Sequence, residues 1–111
     1  MSKSKKNKLS GKKLWIGLAR VEQKSRAGVL GDADRAYTNA IGSAISKSRF
    51  RNSVKQELAR LGLDLIRLEN AELLADRLAK YAIDHELKDV ARKVANTDSV
   101  GFGTFHAFDI S

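Results

Sequence analysis

The chain of 111 residues contains no cysteine and no proline. Without cysteine there are no disulfides, no thiolate metal sites and no cysteine nucleophile. A reducing, cytoplasmic setting is the expectation that follows. Aromatic residues make up only 6% of the chain. Nothing in it approaches the run of about eighteen apolar residues that a membrane-spanning helix needs, so no membrane partner is expected. The lysine-rich start lacks the apolar core and small-residue cleavage site of a signal peptide. No phosphate-binding glycine loop and no HExxH, GxSxG or EF-hand pattern occurs. An enzyme is therefore not expected, nor is any cofactor or metal.

What is present is positive charge, unevenly spread. The formal charge is +8, and residues 1–13 hold six lysines and no acid. Between residues 36 and 62, Lys47, Arg49, Arg51, Lys55 and Arg60 face one acid, Glu57, whereas the C-terminal half is close to neutral. Such asymmetry draws a molecule to anionic surfaces by its basic end. Residues 1–12 show no apolar periodicity and read as a disordered basic arm. Residues 13–111 read as one domain, the size expected for a single core.

The domain is organised around RFRNSVKQELARLGLDLIRL, residues 49–68. Phe50, Val54, Leu58 and Leu61 recur at helical spacing, and Gly62 stands where a left-handed residue ends a helix. Leu63, Leu65, Ile66 and Leu68 then crowd together as in a strand covered on most of both faces. Upstream, Leu14, Ile16 and Leu18 alternate with Trp15, Gly17 and Ala19, another strand buried on both sides. Residues 23–31 lose the pattern and read as a mobile loop. Asp32 or Asp34 then offers an N-cap for a helix with the stripe Tyr37, Ala40, Ile41, Ala44 and Ile45. Ser46 or Ser48 caps the following one.

Downstream, Asn70 is placed as the cap of a helix with the stripe Ala71, Leu74, Leu78, Tyr81 and Ala82. A break near Asp84 rotates the stripe to Ile83, Leu87, Val90 and Val94, and Asn96 ends the helix. Residues 99–110 close the chain as one strand, with Val100, Phe102, Thr104, His106, Phe108 and Ile110 on one face. The expected fold is thus α/β: a three-stranded sheet in β-α-β-α-β order with helical crossovers. Its exposed sheet edges leave room for a homodimer.

Two stretches point to a phosphate partner. Lys5, Lys6, Lys8, Lys12 and Lys13 form a flexible polycation that neutralises phosphates without sequence choice. Lys47, Arg51 and Lys55 recur at steps of four, expected opposite the phenylalanine stripe, with Arg49 nearby and Ser48, Asn52 and Ser53 as neutral donors. Like charges so placed repel by tenths of a kcal/mol, which favours a role for them over a merely solvated face. In the last strand, VGFGTF (residues 100–105) resembles the turn of the bacterial HU and integration-host-factor family. GFG also resembles the start of the aromatic strand of RNA-recognition folds. Those resemblances imply DNA binding or base stacking, but Thr104 and Ala107 stand where aromatic residues are expected in the second, so these phenylalanines are read as core. Glu22 and Lys24 form the ExK pair of many nucleases, without an aspartate on a strand upstream.

The expected function is a non-enzymatic basic protein that binds nucleic acid, RNA or DNA, or a nucleoprotein. The alternative is a protein-interaction module, such as an immunity or inhibitor protein of a bacterial or phage conflict system. It would dock on an acidic or nucleic-acid-binding surface of its partner.

Overall fold

A computed structural model of the chain describes residues 11–24, 28–31, 33–95, 97 and 99–108. These form an α/β domain with a five-stranded antiparallel sheet and three helices. The strands are β1 (Lys13–Gln23), β2 (Arg35–Ala44), β3 (Leu63–Leu73), β4 (Val100–Phe102) and β5 (His106–Phe108). The helices are α1 (Lys47–Arg60), α2 (Leu74–Lys80) and α3 (His85–Val94). The sheet order is β3-β1-β2-β4, with β5 also paired to β2.

The largest correction to the sequence reading is β2. Tyr37 to Ile45 was expected as a helix, yet residues 35–44 are a strand. The stripe fits both periods: Ala36, Thr38, Ala40, Gly42 and Ala44 also alternate, and all five are buried. Ten register pairs with β1, from Lys13–Ala44 to Glu22–Arg35, settle the choice. The small side chains on that face let α1 sit close. A Cβ on Gly42 would lie 2.8 Å from Val100 and 3.4 Å from Phe50. Asp34 therefore caps no helix, and Asp32 lies outside the described residues.

Both β2 and β3 run antiparallel to β1, so they are parallel to each other, and α1 is a crossover passing over β1. The rest of the expected order does not hold. The connection through α2 and α3 runs from one edge of the sheet to the other, because β3 and β4 are its outer strands. The sheet therefore lies between two helical layers. Phe50, Val54 and Leu58 of α1 pack with Trp15, Ala19, Val21, Ala36, Ala40 and Leu63. On the opposite face Leu74, Leu87 and Val94 pack with Ile16 and Ile41.

Local chemistry explains the element ends. Ser46, in extended conformation, accepts from the Arg49 amide and caps α1. Gly62 follows at φ 78°, the left-handed geometry expected for it. Asp84 accepts from the Leu87 amide and starts α3. Asn70, expected as a cap, instead sits within β3 at φ 55°, and Leu73 stands at the N-cap of α2 with no side-chain bond. The expected stripe of α2 is only partly buried: Leu78 and Tyr81 are 48% and 63% exposed. The expected end at Asn96 lies outside the described residues.

Ile66 is 47% exposed, contrary to the expectation of a strand covered on both faces. Here β3 is an edge strand, and the register skips Ile66 between the Val21–Leu65 and Arg20–Arg67 pairs. Leu61 lies at the C-cap of α1 and is likewise exposed. The last strand is split. Gly103 donates to the Asn39 carbonyl and accepts from the Thr38 hydroxyl, so the chain steps off β2 between β4 and β5. Val100, Phe102 and Phe105 then share the α1 side of the sheet, while His106 stacks on Tyr37 across the other. Leu30, Gly31 and Ala33 are tied to Gln23, whose buried amide donates to the Gly31 and Ala33 carbonyls and accepts from the Leu30 amide. Residues 25–27 of the expected mobile loop lie outside the described residues.

Candidate nucleic-acid interface

The cations of α1 follow from its packing. Phe50, Val54 and Leu58 face the sheet, so the remaining sides of the helix meet water. Lys47, Arg49, Arg51 and Lys55 are all exposed. At about 100° per residue, Arg51 and Lys55 flank the buried stripe rather than lying opposite it. Arg49, Asn52 and Gln56 occupy the outward side. Lys47, Arg51 and Lys55 therefore form one row along the flank of that stripe, and Arg49 stands apart from them on the outward side.

None of these four cations takes part in an ion pair among the described residues. Every other described arginine is paired, and two lysines are as well: Arg20 and Arg67 with Glu69, Lys24 with Asp64, Arg35 with Glu22, Arg60 with Glu57, Arg77 and Lys80 with Glu72, and Arg92 with Asp89. Lys13, Lys88 and Lys93 join no ion pair among the described residues. The first turn of α1 holds no acid. Cations there oppose the helix macrodipole, which favours negative charge at that end by about 0.3–1 kcal/mol per group. Positive side chains and first-turn amides together form a site to which an anion is attracted.

Beside the helix runs a groove of about 370 Å³ lined by Lys12, Ser43, Arg49, Asn52, Ser53 and Gln56 among others, with no acid lining it among the described residues. Lys12 and Arg49, far apart in sequence, thus meet at one groove, because the end of β2 leads into α1 beside the start of β1. Lys13 is exposed at the first position of β1, opposite Ala44. Lys5, Lys6 and Lys8 lie outside the described residues.

A larger cleft of about 770 Å³ lies between β3, α2 and the start of α3, and includes Asn39, Glu72, Arg77, Lys80, Tyr81 and Asp84. Its charges are spent on each other. Glu72 accepts from Arg77 and from Lys80, the latter at 3.0 Å. The Arg77 bond, then the Lys80 bond, hold the Glu72 carboxyl below the ordinary carboxylate range, and Glu72 in turn raises Lys80. Asp84 is occupied as the cap of α3.

The fold also supplies an aspartate beside the ExK pair. Asp64 on β3 is the register partner of Glu22 and lies 3.5 Å from Lys24. Sequence order hid this proximity, since β3 comes well after β1 in the chain yet runs alongside it. Glu22 is paired with Arg35, and no group of three acidic, histidine or cysteine side chains able to hold a metal occurs among the described residues. His106 stands on the sheet, 5.2 Å from Tyr37 ring to ring, and His85 lies on the surface of α3 near Asp89.

No family model, curated protein or solved structure matches the chain. Among the described residues no helix is long and apolar enough to cross a membrane.

Proposed function

We propose that the protein is a non-enzymatic, cytoplasmic nucleic-acid-binding protein whose contact surface is α1 with its adjoining groove, extended by the lysines of the N-terminal segment. One observation carries this reading: Lys47, Arg49, Arg51 and Lys55 are exposed without acidic partners, whereas the other described arginines are paired. Compact cations bind phosphate as point charges, and the arginine fork can do so bidentately. Asn52, Ser53 and Gln56 add neutral donors within the groove. Contacts of this kind fix orientation on a phosphate backbone and carry no base information. RNA and DNA both satisfy them.

The test is charge reversal of Lys47, Arg51 and Lys55 to glutamate, read by fluorescence anisotropy on labelled duplex DNA and RNA over a salt series. Circular dichroism checks that the fold survives. Wild-type log K should fall linearly with log salt, and the variant's slope should be shallower by about 0.7–0.9 for each phosphate no longer neutralised. An unchanged affinity and slope in a folded triple variant would refute the reading.

A second reading has its own support. The edge strand β3 presents eleven residues beside the exposed Ile66 and Leu61. Unpaired edges recruit further strands. A protein-interaction module, such as an immunity or inhibitor protein of a bacterial or phage conflict system, would use that edge, and so would a homodimer. It would set the basic helix against an acidic partner surface. A single co-purifying protein that both the charge reversal and Ile66→Asp release, with nucleic acid bound only weakly at physiological salt, would favour it.

A further inference from the structure

The face of the sheet opposite α1 is only half covered. Helices α2 and α3 pack over Ile16 and Ile41. Beyond them one row crosses four strands. Arg67 pairs in register with Arg20, Arg20 with Tyr37, and Tyr37 with His106. Register partners in an antiparallel sheet project to the same side, with neighbouring strands about 4.8 Å apart. The sheet thus carries two planar cations and two planar rings side by side. Tyr37, His106 and Arg67 are exposed, and Arg20 is partly so.

We propose that this row is a second binding site, which takes single-stranded nucleic acid by stacking unpaired bases on Tyr37 and His106 and holding its backbone with Arg20 and Arg67. The rings already stack on each other, with centroids 5.2 Å apart and planes 27° apart. A base can extend such a stack, as bases do on aromatic platforms. Glu69 accepts from Arg20 at 2.8 Å and from Arg67 at 3.4 Å. One carboxylate thereby orients two guanidiniums and neutralises only one, so the row itself remains positive and complementary to phosphate. The next rung, Glu22 and Asp64, is balanced by Arg35 and Lys24. Glu69 offsets part of the repulsion between Arg20 and Arg67, and an anion above the pair offsets more of it.

A duplex does not fit this chemistry, because its bases already stack on one another and offer no free π-face. Tyrosine and arginine are also enriched in protein interfaces, so a protein partner is one of the outcomes that the test below separates. The site is separate from α1, which packs on the other face of the sheet.

Fluorescence anisotropy with a labelled oligothymidine and a labelled duplex of the same length tests the inference. Tyr37→Ala should weaken single-strand binding by about 5- to 150-fold, the effect of losing one stacked base. Tyr37→Phe should stay within about 2-fold of wild type, because the π-face is kept. Duplex affinity should be unchanged in both. Ultraviolet cross-linking of the wild type to the same oligothymidine should label the peptide containing Tyr37. The inference is overturned if the wild type fails to bind the single strand, or if Tyr37→Ala weakens single strand and duplex equally or neither. It is also overturned if that variant instead dissociates a dimer in sedimentation, which would mark a protein surface. Lys47, Arg51 and Lys55 reversal reports on the other site. If it leaves duplex binding intact while Tyr37→Ala still removes the single-strand preference, the helix reading fails and this one stands.

Discussion

Replacing Gln23 with leucine keeps its approximate volume and removes a buried polar staple. Gln23 is 4% exposed, and its side chain makes three bonds to the loop that joins β1 to β2. Each net hydrogen bond contributes about 0.5–1.5 kcal/mol. The Gly31 carbonyl belongs to an exposed residue and the Ala33 carbonyl to a half-buried one, so water can take over part of the bonding. The expected cost is therefore below the simple sum, at about 2 kcal/mol. For a domain near this length that lowers the thermal midpoint by roughly 8–16 °C. Differential scanning calorimetry on the full chain measures it directly. Gly28→Ala approaches the same contact from the other side: the added Cβ would lie 2.3 Å from Gln23 Oε1. Combining the two substitutions should cost less than the sum of the singles, because they break one shared contact. A Gln23→Leu midpoint within about 1 °C of wild type would refute the staple.

Leu58→Ala should cost about 2–5 kcal/mol in urea unfolding, since Leu58 is fully buried under α1. By contrast, Ile66→Ala on the edge strand should stay within about 0.5 kcal/mol; comparable destabilisation at both would contradict the assignment of β3 to the edge. The Glu72 brace predicts a pH dependence. Its carboxyl is depressed by Arg77 and then Lys80, so its stabilisation is present above the unfolded value near 4.5 and lost as pH falls through the folded one. Lys80 is raised by Glu72, so its share is present below 10.5 and lost as pH rises through its folded value. The midpoint difference between wild type and Glu72→Gln should shrink toward both acid and alkali; a difference flat across that range would argue against the brace.

Sequence alone determined the elements whose signals are local. The Ser46 cap, the Phe50–Val54–Leu58 stripe and the Gly62 stop define α1 within a single span of residues. Asp84 does the same for the start of α3. The alternation from Leu14 is enough to identify β1. The exposed cations of α1 were legible for the same reason, as a helix that buries one stripe must present its other sides. Tertiary structure decided what depends on partners distant in the chain. Ala36 to Ala44 fits both a helical and a strand period, and only the ten register pairs with β1 make it β2. Leu63 to Leu68 looks equally apolar at a sheet centre or an edge, and strand order alone exposes Ile66. The placement of Gly31 and Ala33 carries no motif, because it comes from the Gln23 side chain reaching to carbonyls eight and ten residues further along. Arg67, Arg20, Tyr37 and His106 share no spacing in the sequence at all. They form a row only because four strands align them, and strand register is set by long-range pairing that no short window of residues contains.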